Sequence, residues 1–376
     1  MNIETLLETL STGEISVITG LIVGLVFGVF AQQSRFCLRA ACVEIWRGKA
    51  GVKVSIWLLA FGAALLSTQL FIEGGVIDTG SIRQLNTTGS MSGAIIGGLM
   101  FGAGMVLAGG CASRILVLSA TGNMRTLVAG LVITIVAQAS LRGVLSPARE
   151  ELSALWLVDS HSRGFSHLLP QYGGVVLGAI FLVAAFWLVR KHQTSKWWAF
   201  AAVATGLSVT LGWVLTSWHA ANSFDIIPVK SVSFTGSSAD TLMGLINQPY
   251  IPMSFDIGLI PGVFLGSMFA AIVTREFKWQ QFTLETGQAR FLIGACLMGF
   301  GGMLAGGCAV GAGVTGGVVL AITAWVTLFC MWLSAGITDW IIDRRREEAE
   351  AGTIKPVPFR YSPPSTLAKA PGSVRI

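Results

Sequence analysis

The chain has 376 residues, of which 53% are hydrophobic and only 12% are charged. Soluble domains carry about a quarter charged residues, so this composition excludes an ordinary soluble domain and predicts a polytopic membrane protein. The net charge of +6 does not indicate nucleic-acid binding, because the basic residues are spread over many loops without interleaved aromatic residues. The N-terminus carries Glu4, Glu8 and Glu14 and no early basic residue, so we expect no cleavable signal peptide.

Nine apolar blocks are long enough to cross a bilayer as helices, which takes about 17 to 25 residues each. In chain order they are Ile15–Gln32, Ser55–Ile72, Ser92–Cys111, Thr126–Leu141, Gly173–Val189, Trp197–Ser217, Phe255–Val273, Phe291–Cys308 and Gly316–Trp340. The sequence therefore predicts an all-α fold with a single membrane domain over residues 1–341. The polar remainder, 342–376, is expected to be a disordered cytoplasmic tail.

The basic residues predict the orientation of these spans. One set of alternating loops, together with the tail, holds 20 Lys and Arg, whereas the other set holds five. Cytoplasmic loops carry an excess of Lys and Arg. We expect a bacterial inner-membrane protein with a periplasmic N-terminus and a cytoplasmic C-terminus.

One motif occurs twice. The letters L-A-G-G-C-A stand at Leu107–Ala112 and again at Leu304–Ala309, an offset of 197 residues, and three upstream glycines keep this offset. The copies close spans three and eight, and a shift of five spans is odd, so the second unit would be inverted. We predict two inverted repeats of four spans, about 15–141 and 197–340, joined by a linking span, 173–189, with a shared site near the midplane. The alternative is a coincidental glycine-rich repeat in two packing helices.

Charged side chains are scarce inside the predicted spans. Asp256, Arg290 and Asp339 lie at span edges, and the interiors hold essentially no Asp, Glu, Lys, Arg or His. A proton-driven carrier commonly keeps a carboxylate or His at depth, and a hard cation needs clustered oxygen anions. We therefore predict no metal and no cofactor, and we expect thiols, hydroxyls and backbone groups to line any path.

Two cysteines are the first candidates for that path. Cys111 follows Gly109 and Gly110, and Cys308 follows Gly306 and Gly307. A helix that ends or restarts at such a glycine pair exposes amide groups that favour an anion, and a thiol adds a weak donor. The alternative is that each cysteine is a small buried apolar residue, which is our interpretation of Cys42, Cys296 and Cys330.

Further candidates flank these motifs. Cys37 lies between Arg35 and Arg39 in S-R-F-C-L-R, a setting that attracts anions or is an ordinary basic loop. Arg114 follows the first motif and either receives an anion or is an ordinary loop cation. Thr315 follows the second motif. Thr235 stands where the second unit would have Cys37, so we expect both segments to dip towards the site as broken helices.

The motifs S-R-F-C-L-R-A-A (34–41), A-G-G-C-A-S-R (108–114) and A-G-G-C-A-V-G-A-G (305–313) resemble the YeeE/YedE family of membrane proteins. Its best-known members are bacterial thiosulfate uptake transporters. The resemblance implies a nine-span hourglass with inverted pseudo-symmetry and assigns the functional role to Cys37, Cys111 and Cys308. Some relatives are associated with selenium or other sulfur compounds. A cytoplasmic sulfur-carrier protein of the TusA type is often linked to the family.

These observations favour a transporter rather than an enzyme. We expect thiosulfate to pass three thiols in relay, each protonated because a thiolate would repel a dianion. A membrane sulfurtransferase is the first alternative, but it needs a general base, and no His lies within a predicted span. A non-transporting scaffold or sensor for a sulfur-relay protein is the second.

Overall fold

The structure is a computed structural model that describes residues 11–159, 163–164, 170, 172–223, 225, 227–246, 253–280 and 288–344. The regular structure of this part is helical apart from two-residue strands, β1 (Gly89–Ser90) and β2 (Leu157–Val158), which pair antiparallel. The predicted disordered tail lies outside the described residues from 345 onwards.

Fifteen α-helices make up most of the described residues. In chain order they are α1 Thr12–Ser34, α2 Leu38–Trp46, α3 Val52–Glu73, α4 Arg83–Asn86, α5 Met91–Leu107, α6 Ala112–Ala120, α7 Met124–Arg142, α8 Ser146–Ala154, α9 Gly173–Lys191, α10 Lys196–Ala221, α11 Thr235–Ile246, α12 Phe255–Val273, α13 Gln288–Leu304, α14 Gly316–Val318 and α15 Ile322–Thr338. A 3₁₀-helix covers Thr79–Ser81, and two π-helices cover Ala309–Thr315 and Asp339–Arg344.

Within the described residues, nine helical segments are long and apolar enough to cross a membrane, which confirms the predicted number of spans. Several boundaries differ from the prediction. Spans three and eight end at Leu107 and Leu304, before their cysteines, and the ninth helix begins at Ile322 rather than Gly316. The residues after Cys111, predicted as a loop, form α6, and the predicted outer loops contain α8 and α11.

Helices α1 and α12 are packed through small residues. A Cβ atom added at Gly20, Gly24 or Gly28 of α1 would strike backbone atoms of α12. Glycines of α12 at the same spacing, Gly258 and Gly262 among them, meet the backbone of α1 in the same way. Lipid offers no hydrophobic force between helices, so close backbone approach supplies the van der Waals contact that holds such a pair.

Helices α5 and α13 cross at the centre of the molecule and run antiparallel. A Cβ on Gly97, near the start of α5, would lie 2.5 Å from the backbone nitrogen of Ala305, just past the end of α13. A Cβ on Gly294, near the start of α13, would lie 2.6 Å from the backbone nitrogen of Ala108, just past the end of α5. Gly97 and Gly294, like Ala108 and Ala305, are 197 residues apart, so the contact is the same from either side.

The remaining helices surround this pair with matching neighbours. Helix α15 packs on α5, and α7 packs on α13. Farther out, α3 packs on α10, and α1 packs on α12. Because α5 and α13 run antiparallel, their C-terminal ends point in opposite directions. With a rise of about 1.5 Å per residue, Ala108 and Ala305 are about 16 Å apart along the shared axis.

Candidate functional site

The two repeated motifs form the same backbone turn. After α5, Gly109 adopts φ 77°, and after α13, Gly306 adopts φ 80°. Residues other than glycine rarely adopt this left-handed region, which explains the glycine in each motif. Cys111 (φ −77°, ψ 165°) and Cys308 (φ −77°, ψ −177°) then precede the next helical turn as N-caps. Both predicted helix breaks are therefore present.

Each cysteine lies at a helix start and is fully buried. The Cys111 sulfur lies 3.3 Å from the Ser113 hydroxyl oxygen. The Cys308 sulfur accepts a hydrogen bond from the Gly311 amide at 3.3 Å. The first amides of a helix have no acceptor in the helix itself and carry partial positive charge. Each turn therefore combines a soft thiol with amide donors, which suits an anion that contains sulfur.

Cys37 joins the first of these turns. Helix α1 ends at Arg35, which is left-handed (φ 55°), and Cys37 is the N-cap of α2. Cys37 and Cys111 lie close enough to interact, although 74 residues separate them in sequence. The partly buried Arg114 guanidinium is an electrostatic neighbour of both sulfurs and donates to the Gln32 side-chain oxygen at 3.3 Å. Cys37 and Cys111, which we call the thiol pair, thus form one group with Arg114.

The second turn has a different neighbour. The segment before α11 lies against it, with Ser233 covering Gly311, and the Thr315 hydroxyl donates to the Val232 carbonyl at 2.6 Å. Thr235, the first residue of α11, is buried, and its hydroxyl oxygen has no hydrogen-bond partner among the described residues. Cys308, Thr235 and Thr315 therefore lie in one region, with a hydroxyl where the first region has the Cys37 thiol.

A cavity of about 190 Å³ reaches both regions. Ala112, next to Cys111, lines it together with Thr235. Most of the other lining residues are apolar, with Ser119, Thr134, Ser238 and Thr241 as further hydroxyls. The cavity therefore provides a space between the first helix break and the unpartnered Thr235.

The other predicted contacts are distributed unevenly. Arg39 lies in the first turn of α2, two residues after Cys37, and is partly buried. Gly110 and Gly307 are buried within the two turns, whereas Gly109 and Gly306 are exposed. All six cysteines are free thiols, and Cys42 and Cys330 are buried as interpreted from the sequence, whereas that interpretation was wrong for Cys296, which is exposed.

The carboxylates that the sequence placed at span edges are buried and paired. Lys230 donates to Asp256, and the Asp256 carboxylate also accepts from the Ser237 hydroxyl at 2.6 Å. The Arg47 side chain donates to Asp339 at 2.9 Å. These pairs lie in the outer parts of their helices and neutralise charges that would otherwise be costly in a membrane.

His219 is a residue that the sequence placed beyond its span. Helix α10 extends to Ala221, so His219 is buried, and its Nδ1 lies 3.4 Å from the Ser16 hydroxyl oxygen. It lines a cavity of about 250 Å³ together with Ser16 and Lys230. Ser16 is near the start of α1 and Cys37 follows its end, about 30 Å away along the helix. His219 is therefore too far away to act as a base for the thiol pair.

The sequence is similar to known membrane proteins over most of its length. The model of the family described as sulphur transport matches residues 33–337. The thiosulfate transporter TsuA of Spirochaeta thermophila is 29% identical over 342 residues, which cover 87% of this chain and 99% of that protein. The thiosulfate transporter TsuA of Escherichia coli K12 is 26% identical over 355 residues, covering 87% of this chain and 94% of that protein.

Proposed function

The chain belongs to the sulphur transport family, and we propose that it carries thiosulfate into the cytoplasm across the bacterial inner membrane. The chain is a multi-pass membrane protein, and its relatives of similar length are named as thiosulfate transporters. The observation that carries the proposal is that Cys37 and Cys111 lie close together at the start of α6, with Arg114 near them.

The proposed path uses Cys308 first and the Cys37–Cys111 pair last. A protonated thiol donates its hydrogen to the terminal sulfur of thiosulfate, while amides of the turn hold the sulfonate oxygens. The cavity that reaches Ala112 and Thr235 supports a passage between the start of α6 and Thr235. Weak sites in succession let an anion enter and leave, whereas one tight site would retain it.

The packing supports an inverted repeat. If the first four spans and the last four are exchanged, the pair α3–α10 becomes α12–α1, and α5–α15 becomes α13–α7, and all four pairs are in contact. The α5–α13 crossing is unchanged by that exchange. Under this proposal the Cys111 and Cys308 turns are equivalent points that open towards opposite sides of the membrane.

The distribution of basic residues supports one orientation of the chain in the membrane. The face at which α1 ends carries Arg35, Arg114 and Lys278, and we call it the basic face. We propose that the basic face is cytoplasmic and that the start of α1 is periplasmic. A cytoplasmic sulfur-carrier protein of the TusA type is the partner proposed to receive sulfur there.

Cells that depend on thiosulfate as their sulfur source provide the test. We expect Cys111→Ala and Cys308→Ala to abolish most growth and uptake of labelled thiosulfate. Cys330→Ala, which removes a buried thiol outside both turns, is the matched control and should leave uptake nearly unchanged. Uptake close to wild type in both turn variants would refute the relay. A persulfide found on Cys37 by mass spectrometry during turnover would instead favour the sulfurtransferase.

A further inference from the structure

A carboxylate on the basic face is joined to Arg114, the cation near the thiol pair, by a chain of hydrogen bonds. The Glu276 side chain accepts from Arg35 Nη2 at 3.1 Å and from Gln32 Nε2 at 3.0 Å. The oxygen of the same Gln32 amide accepts from Arg114 Nη1 at 3.3 Å. Arg114 in turn is an electrostatic neighbour of Cys37 and Cys111. Glu276 thus occupies an acceptor position at the mouth of the proposed path.

The surroundings of Glu276 carry an excess of positive charge. Arg35 and Lys53 lie over the ring of Trp198, at 5.4 and 5.6 Å from its centroid, and both are electrostatic neighbours of Arg114. Glu44 is a second carboxylate near Lys53, and one of its oxygens accepts from the Val54 amide. Three cations therefore face two carboxylates, so an added anion is electrostatically favoured.

The donors around Glu276 match a tetrahedral oxyanion. A guanidinium presents planar N–H groups to oxygen anions, and the Gln32 amide adds a neutral donor. Gln32 is buried, so its amide group is held in place, whereas Glu276 is 41% exposed at its side chain and can swing into water. The buried Gln32 amide is the fixed part of the arrangement, and the exposed Arg35 and Glu276 side chains are the movable part.

The loop that carries Glu276 has its own anchors. The Lys278 amide donates to the Thr121 carbonyl at 3.2 Å, and the Gln280 amide donates to the Gly122 carbonyl at 2.9 Å. These backbone bonds hold the loop on the α6–α7 connection without the Glu276 side chain. Displacement of the carboxylate therefore leaves the loop in place.

We infer that Gln32, Arg35 and Arg114 form a binding site for a tetrahedral sulfur oxyanion, and that the Glu276 carboxylate occupies this site as a tethered competitor. The inference rests on the proposed function in that the transported anion is the one that displaces Glu276. The competitor makes the last site weak, so the anion is released rather than retained. The Glu276 carboxylate re-forms its hydrogen bonds with Arg35 and Gln32 when the anion leaves.

The test measures anion binding to the purified full-length chain in detergent by titration calorimetry, with thiosulfate and with inorganic sulfate. Glu276→Gln keeps the size and an acceptor oxygen but removes the charge. We expect its dissociation constant for either anion to fall about fivefold, the upper end of what one exposed charge pair supports. Glu150→Gln is the matched control, because Glu150 pairs with Arg149 at 3.3 Å on the opposite face, and its binding should equal that of wild type.

Each result distinguishes the two proposals. Equal or weaker anion binding by Glu276→Gln than by wild type overturns the tethered competitor, even if thiosulfate flux is intact. Tighter sulfate binding by the variant, with no thiosulfate binding or flux in either protein, supports the site but overturns thiosulfate as the substrate. If no anion binds to either protein, the site is overturned as well. Glu276→Ala should also bind the anion more tightly than wild type. This result would attribute the effect to loss of the charge rather than to the introduced glutamine side chain.

Discussion

Gly109 provides a sharp test of how the Cys111 turn works. Its φ of 77° is left-handed, and a Cβ added there would meet no atom within 4 Å. Gly109→Ala therefore changes only the backbone preference, which costs about 1–2 kcal/mol in that region. If the turn changes conformation independently of the rest of the protein, a cost of this size lowers the ratio of native to altered turn by about 5- to 30-fold.

Gly48 supplies the control for this substitution. It adopts φ 73° and also has open space around its Cβ position, but it lies in the connection between α2 and α3, away from the turns. Gly48→Ala carries the same conformational cost, so both variants should have similar melting temperatures in detergent. Only Gly109→Ala should lose thiosulfate uptake, by about the factor estimated for the turn.

Asparagine offers a rescue because it tolerates the left-handed conformation better than other side chains. Gly109→Asn should therefore recover most of the uptake that Gly109→Ala loses. Equal uptake by Gly109→Ala and wild type would refute the importance of the turn. An equal loss in Gly48→Ala would show that general backbone strain, rather than the position of Cys111, causes the defect.

Two further predictions concern packing and charge. Gly97→Leu should separate α5 from the backbone at Ala305 at a cost of about 1–3 kcal/mol or more, so a melting temperature equal to that of wild type would contradict the close crossing. Asp339→Ala removes the carboxylate that accepts from Arg47 at 2.9 and 3.0 Å. The free energy of unfolding should fall by about 1–2 kcal/mol, which lowers the melting temperature with little effect on the affinity for thiosulfate. A changed affinity with unchanged stability would place Asp339 on the path instead.

The sequence predicted the helix breaks because glycine reports directly on the backbone. Gly109 and Gly306 adopt the left-handed conformation that a break requires. Their recurrence at the 197-residue offset identified both as helix breaks in the sequence. Apolar length predicted the nine spans for a similar reason, since bilayer thickness sets the length of helix that crosses it. Boundaries were less accurate, because α6 is short and follows a break, so the residues around Arg114 looked like a loop.

Contacts between distant segments were not predictable from one sequence. Nothing in the sequence near Cys37 indicates that it lies close to Cys111, since this proximity depends on how the end of α1 packs beside α6. Glu276 stands in a loop among other charged residues, and only its neighbours, Gln32 and Arg35, make it distinctive. The burial of His219 likewise depends on α10 extending past its most apolar residues.

In the proposed mechanism, this chain alone moves thiosulfate along a path lined by its thiols. Proteoliposomes that contain only the purified chain, loaded with unlabelled thiosulfate and given labelled thiosulfate outside, measure this directly. We predict exchange by wild type and by Cys330→Ala, and strongly reduced exchange by Cys111→Ala and Cys308→Ala. Absence of exchange by the wild-type chain would contradict transport and support a scaffold, and full exchange by both turn variants would contradict the thiol path.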